Sequence, residues 1–574
     1  MTVSGKLITR NYGNFRGVDF SNRKDEVNVY RSPDALNMWK NYKNTSGKCV
    51  ETRPDIELLA EYSDTIFGLF FYDYGGTTHK IVHSGTNLYD DDTVIYSNMN
   101  EEKSMYFIYE NKLYIKDGIN YLVYNGTTIT DVVGYIPTTS ISRSPLGGGT
   151  IYEDVNILSP YRYNTFVGDG ESTSYYLDAQ ELDSTYTPEV TDTEGNTYTV
   201  TSFDYTLGVV TLSTAPGVPL TDGQDNVKIK FKRTIPGEAD KILKSTLLEV
   251  FDNRVFFSGN PDYPNYIWHS SLDDPTYCSD LDYYTEGVDD SNIKAIVSGN
   301  NALWVLKEPS QSNTTIFYHN PVIDSTYGKI YPSVHSSIST GCVSSGINFN
   351  DTICFLSDRG LEAITGDVTT EQTLMHRSSL IDNRLLNEPD YEKAFFVEWE
   401  GYLVTIIGNK MYLADSKMYS QVNDHSEYEW FYFEFKQEIV GAIVKNGILY
   451  LSTKETINDV EKNRIYTLTN KEETREVESY WTTIDDEFGY PQYQKTTNKK
   501  GCVVDIEGKQ VTLYAKVDNK AYEKIDEYKI AKGYVVPRIK EKKWKALQLK
   551  FYSKKPFNLY SSTLEAYIGS YIKR

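Results

Sequence analysis

The sequence has little of what most directly announces a chemistry. Five cysteines in 574 residues, Cys49, Cys278, Cys342, Cys354 and Cys502, are too few and too scattered for a disulfide framework or a zinc ribbon. The seven histidines (His79, His83, His269, His319, His335, His376 and His425) do not cluster at metal-ligand spacing. His79 and His83 fall in strand-like sequence, where a spacing of four sets both on one face; exposed strand histidines are the simpler reading. No P-loop, dinucleotide fingerprint, H-E-x-x-H or G-x-S-x-G is present. The apolar runs are short, Ile66 to Tyr72 among the longest, so none is expected to span a bilayer. The opening MTVSGKLITRNYG has no apolar stretch of the secretory kind. Positive charge is also in deficit. Lys and Arg number 58 against 80 Asp and Glu, a net charge of −22, which disfavours a free nucleic-acid binder because such affinity comes largely from cationic contacts to phosphate.

Helical periodicity is nearly missing. The exception is Ser32 to Tyr42, where Ser32 reads as a cap, Pro33 as the first helical residue, and Ala35, Leu36 and Trp39 as one face; this predicts a short helix. Aromatics, by contrast, are abundant at 14%, with 49 Tyr, which argues against disorder. The length suggests about three to five domains or one large repeat fold. Charge is uneven: from Arg538 to Arg574 there are ten Lys/Arg and two Asp/Glu. That basic end is either a solvated strand pair or a patch that docks an acidic surface of another copy or a partner.

Most segments are short β-branched and aromatic runs bounded by Gly, Asn, Asp and Pro. Many alternate, as in Lys112 to Lys116, Val227 to Phe231 and Val511 to Ala515, and read as half-buried strands. One unit recurs: a polar turn followed by a strongly apolar strand. It starts at Asn253, Asn301, Asn350, Glu400 and Asn446, at intervals of 48, 49, 50 and 46 residues. The same unit stands at Asn111, and one period back lies Asp64-Thr65-Ile66-Phe67. An eighth copy is expected near Gly501 to Val504. Short strands repeating every 40–50 residues are the signature of β-propeller blades. A chain of several β-sandwiches is the competing reading. The expectation is an all-β protein: a propeller of about seven or eight blades, with an inserted small β-sandwich and a C-terminal β region. The predicted divisions are 1–60, an N-terminal arm with the short helix; 61–140, the first blades; 141–240, the inserted domain after the linker Ser140 to Thr150; 241–478, the remaining blades; and 479–574, the C-terminal β region with its basic end.

Acidic clusters at Asp90-Asp91-Asp92, Asp273-Asp274 and Asp485-Asp486-Glu487 lack the ligand spacing of a calcium loop and read as solvated turns. Propellers also host glycosidases with paired carboxylates. Ser357-Asp358-Arg359-Gly360 faintly resembles the sialidase Asp box, but it lacks the spacer and the Trp and does not recur, so it reads as a blade turn. The N-x-[ST] triplets at Asn44, Asn125, Asn313 and Asn350 read as coincidence in a Thr- and Asn-rich chain. No catalytic residue, cofactor or metal is expected.

The stretches Asn11-Tyr12-Gly13-Asn14-Phe15-Arg16-Gly17-Val18-Asp19, Ser32-Pro33-Asp34-Ala35-Leu36-Asn37-Met38-Trp39 and Gly47 to Asp55 resemble the opening of short-tailed bacteriophage tail nozzle, tail tubular and packaged-DNA stabilisation proteins. Asp55 stands where that family usually has Gly. Asn253-Arg254-Val255-Phe256 with Pro264-Asn265-Tyr266-Ile267 also looks like them. The resemblance covers about residues 1–60 and 245–310, and its motifs are not catalytic. It implies a structural virion protein on a β-propeller with inserted β domains. It further implies a ring, typically a hexamer, below the portal and adaptor, carrying fibre or tip proteins and forming the DNA exit channel. Assembly would take place in the host cytoplasm, and packaged DNA would pass without sequence-specific binding. A glycan-binding or glycan-degrading propeller, or another baseplate or fibre-attachment subunit, is the alternative.

Overall fold

A computed structural model describes residues 5–571 apart from 313, 327, 367–371, 423–424, 470–475, 519 and 540–541. The protein is all-β, built from many antiparallel sheets. Among the described residues, helix is confined to single turns at Asp240–Leu243, Asp382–Leu385 and Tyr391–Lys393. The chain divides into two compact units, Tyr72–Gly341 and Met1–Phe71 with Cys342–Arg574, and it passes from one to the other within strand Ile66–Tyr74.

The recurring element is a four-stranded antiparallel meander. Among the described residues there are seven, with first strands beginning at Ile66, Met105, Leu247, Ile293, Gly346, Phe395 and Glu438. In each, the first two strands are joined by a two-residue loop: Gly75-Gly76, Glu110-Asn111, Asp252-Asn253, Asn300-Asn301, Asn350-Asp351, Glu400-Gly401 and Asn446-Gly447. Every residue of these pairs has φ between 46° and 82°. Two right-twisted strands joined by two residues need positive φ at both positions, which Asn, Asp and Gly adopt at least cost. The polar turn seen in the sequence is therefore the device that sets each hairpin. In five of the seven the strand after it is buried on both faces over nearly its whole length, as in Ala302–Lys307 and Tyr402–Ile407, which explains why it reads as an unbroken apolar run instead of an alternation.

Three expectations are corrected. The earliest unit was placed at Asp64, but the equivalent turn is Gly75-Gly76, and Ile66–Tyr74 is the strand before it. The eighth unit at Gly501 does not exist: that segment lies inside the 25-residue strand Tyr493–Val517. Nor is there a helix at Ser32 to Tyr42. Ala35–Leu36 pairs with Tyr480 and Trp481, Met38–Trp39 pairs with Glu51 and Thr52, and Asn37 between them takes φ 56°. Trp39 stacks on Trp399 with ring centroids 5.0 Å apart. The cap and periodicity at Ser32 to Trp39 are local preferences, overridden by burial of these side chains in a sheet.

The N-terminal segment is accordingly no free arm. In the unit that contains it, Leu7–Asn11 lies on Thr563 to Tyr567, Val50 and Glu51 pair with Leu559 and Asn558, and Asp55–Tyr62 pairs with Asn463 to Thr469. That last pairing supplies the fourth strand of the final meander. The C-terminal residues form a large sheet of long strands, Tyr493–Val517, Leu547–Ser553 and Phe557–Tyr571. One continuous core joins them to the N-terminal segment, from Tyr12 and Trp39 to Trp430, Trp544 and Leu564.

In the other unit, residues 138–232 build two sheets of their own. Phe166, Tyr175, Val190, Val210, Ile229 and Phe231 form their separate buried core. The pairing of Thr138–Arg143 with Tyr161–Phe166 is parallel.

Candidate functional site

In the unit holding the chain ends, three adjacent strands set a polar row. Glu51 is in register with Asn558, and Asn558 with Glu507. Directly opposed residues project from the same face, so two carboxylates flank one amide. Each is held. Asn41 Nδ2 donates to Glu51 Oε1 at 2.8 Å, and Tyr560 OH donates to Glu507 Oε2 at 2.9 Å. Asn558 Nδ2 lies 3.4 Å from the same Glu507 oxygen, and Lys532 Nζ sits 4.5 Å above the Tyr560 ring. The row floors a cleft of about 940 Å³, with Lys509 and Lys529 also in its lining. Its donors and acceptors suit a polyhydroxylated or zwitterionic ligand. It holds no nucleophile paired with a base.

The cysteines add none: all five are buried and none forms a disulfide. Burial pushes the Cys49 thiol, nearest this cleft, up to about 11, and those of Cys354 and Cys502 up to about 12. Thiolate chemistry needs the opposite shift.

Histidine–carboxylate contacts occur elsewhere. At the hairpin that carries Ser357 to Gly360, His376 is gripped from both sides, Nδ1 by Glu362 Oε1 at 3.1 Å and Nε2 by Asp382 Oδ2 at 2.6 Å. Burial works against the charged ring, but the two carboxylates prevail and raise its pKa to about 10. The turn read as an Asp-box look-alike is thus tied to the single helical turn at Asp382 by a carboxylate–imidazolium–carboxylate clamp. In the other unit, His319 Nε2 meets Glu286 Oε1 at 3.0 Å with both side chains fully buried, and Tyr331 O lies 2.8 Å from His319 Nδ1. Nearby, burial lowers His269 to about 4 and raises Asp282 to about 6. Buried, stacked on Tyr284 and bonded to backbone, His269 is packed as core.

His83 is not the exposed strand histidine expected. It is fully buried, with Nε2 2.9 Å from Gly85 O. Of the acidic clusters, Asp273-Asp274 is a turn closed by the Thr276 N–H and hydroxyl on Asp274. Asp485-Asp486-Glu487 is not a solvated turn: Asp486 is 3% exposed, accepts the Tyr12 hydroxyl at 2.9 Å and forms an ion pair with Arg10, whose Nε lies 3.2 Å away. Asn350 is a hairpin turn residue and Asn125 caps Thr127 and Thr128; Asn313 and the side chain of His425 lie outside the described residues.

The basic end is partly neutralised within its own unit. Lys545 pairs with Glu487 at 2.8 Å, Lys555 with Glu476 at 2.5 Å, and Lys550 lies 3.5 Å over the Tyr480 ring. The sequence showed the excess charge but not these partners, which come from segments 58 and 79 residues earlier in the chain.

No known protein-family model matches the chain, and no characterised relative does. Solved structures give only distant likenesses. An exo-β-1,3-galactanase from Phanerochaete chrysosporium aligns at TM-score 0.23 and 8% identity, covering 56% of this chain and 95% of that one. A sialidase from Trypanosoma rangeli aligns at 0.20 and 7%, covering 57% and 91%. A family 43 arabinoxylan arabinofuranohydrolase from Bacillus subtilis aligns at 0.17 and 8%, covering 97% and 99%. At these scores the likenesses assign neither fold nor activity.

Proposed function

We propose that the seven meanders are the blades of one β-propeller, and that the chain is a structural virion protein. It would be a subunit of a short-tailed phage nozzle ring that conducts DNA out and retains it until ejection. The observation carrying this reading is the strand Asp55–Tyr62, which precedes every meander in the chain yet completes the last one. A linear stack of repeats ends in a cap, whereas a repeat that borrows its final strand from the chain's beginning supports a closed arrangement. Glu61 fastens this strand, meeting Lys462 Nζ at 2.5 Å and Arg464 at 2.8 Å.

The charge suits a conduit. A wall drawn from a chain of net charge −22 repels the duplex and limits sticking. Cations lining the cleft, such as Lys509 and Lys529, would dock neighbouring copies, the portal or adaptor, or fibre and tip proteins. The test is electron microscopy of the purified full chain. Discrete rings, hexameric if they follow the nozzle family that the sequence resembles, support the reading; monodisperse single subunits that cleave glycan overturn it.

A second reading is favoured by one observation, the Glu51–Asn558–Glu507 row in its cleft: a propeller that binds or degrades glycan. Its test is oligosaccharide binding and cleavage by the wild type against Glu507→Gln and Glu51→Gln.

A further inference from the structure

The hairpin Thr77–Ser84 and Asn87–Asp90 brings His79 against the acidic turn Asp90-Asp91-Asp92. His79 Nδ1 lies 2.9 Å from Asp90 Oδ1 and 3.8 Å from Asp91 Oδ2, and the three ligand-type atoms lie within 4.8 Å of one another. The other polar atom of each group is anchored elsewhere. Tyr124 OH, from the next meander, donates to Asp90 Oδ2 at 2.6 Å. The Lys80 N–H donates to Asp91 Oδ1 at 3.1 Å. Thr77 Oγ1 lies 2.9 Å from His79 Nε2. Asp91 is held in place at φ 51°.

We propose that His79, Asp90 and Asp91 bind a divalent transition-metal ion of the Zn²⁺, Co²⁺ or Ni²⁺ class. Three features carry the assignment. The donor set is one imidazole nitrogen and two carboxylate oxygens, which such ions accept, whereas Ca²⁺ takes six to eight oxygens. Ligand atoms around an ion at ~2.1 Å stand about 3.3 Å apart, and the observed separations of 2.9 and 3.8 Å bracket that value. Each ligand is oriented through its remaining atom by a hydroxyl or backbone N–H, the outer-shell support that metal ligands characteristically have. Asp91 is 58% exposed, so the remaining coordination positions face solvent and are filled by water. Asp92 is excluded from the set; it is nearly fully exposed and turned to Lys80 Nζ at 3.9 Å.

The test uses the untagged full chain, stripped with chelator and titrated with Co²⁺ by visible absorption and with Zn²⁺ by calorimetry. The assignment predicts one equivalent bound. Affinity should fall at least ~10-fold in His79→Ala and Asp91→Asn, and about 10-fold in Tyr124→Phe, which removes only the outer-shell hydroxyl. Asn tolerates positive φ, so Asp91→Asn preserves the turn, and circular dichroism checks that each variant is folded. Binding unaffected by these substitutions, or no binding by a folded wild type, overturns the assignment and leaves a histidine–carboxylate pair only.

Discussion

The seven meanders and the long-strand sheet around Tyr493–Val517 are both antiparallel β-structure, yet they are specified differently. A meander is set by neighbours: two turn residues, then a strand that pairs with the one just left, as in Phe251↔Arg254 or Phe349↔Thr352. The large sheet is set by partners far apart in sequence: Leu7 meets Tyr567, Ala35 meets Trp481, Thr52 accepts a hydrogen bond from the Phe557 N–H. Local pairing leaves a periodic trace in the sequence; distant pairing leaves none. Most meanders therefore depend on local pairing, the exception being the last, which needs Asp55–Tyr62, whereas the large sheet depends throughout on residues that look like an independent opening segment.

Trp39→Ala removes a side chain 2% exposed and stacked on Trp399. It should cost ~3–5 kcal/mol in urea unfolding and loosen the large sheet; a loss under about 1 kcal/mol would show that the N-terminal segment is a dispensable arm after all.

His376→Gln breaks a clamp whose histidine is raised to about 10 by Asp382 and Glu362. Its folded pKa lies above the unfolded value of about 6.5. The clamp therefore stabilises fully below pH ~6.5 and fades as pH rises toward about 10. The variant should lose ~3 kcal/mol near neutral pH, and the difference from wild type should shrink steadily between pH 7 and 10. A difference independent of pH would contradict the clamp. Other groups titrate in that window, burial having lowered Lys116 to about 7 and Lys495 to about 8, but they are common to both proteins and cancel in the comparison.

Asn253→Val puts a β-branched residue at φ 58°. It should cost about 1–2 kcal/mol, whereas Asn253→Gly should cost far less; equal costs would mean the turn conformation does not set the hairpin. Glu61→Gln is the mildest change, cutting charge at the partly exposed ion pairs to Lys462 and Arg464. A small fall in thermal midpoint that vanishes at high salt is expected; a large salt-independent fall would place the strand's hold there instead of in its backbone pairing.

The sequence made the repeat legible because Asn253, Asn301, Asn350, Glu400 and Asn446 each sit in a turn that selects for Asn, Asp or Gly. It misplaced the first repeat because Gly75-Gly76 follows Tyr74 without the Asn-rich signature, while Asp64-Thr65 looked similar. The helix at Ser32 was read from a genuine cap and period, and it failed because Ser32 Oγ and Asp34 O bond to Thr482 instead. Asp486 looked like a solvated acid because Arg10 and Tyr12 lie 476 and 474 residues away. The His79–Asp90–Asp91 group leaves only a faint trace in the sequence, because a hairpin joins residues eleven positions apart. The Glu51–Asn558–Glu507 row has no sequence signal, since three separate strands bring it together.

On the proposed reading the repeats would close on themselves through Asp55–Tyr62, and the resulting body would serve as a conduit. Cryo-electron microscopy of the purified protein tests it most directly. The expected result is one toroid of seven small sheets per chain, with several copies arranged around an open channel. Separate sandwiches sharing no axis, in a particle that never assembles beyond a single chain, would contradict it.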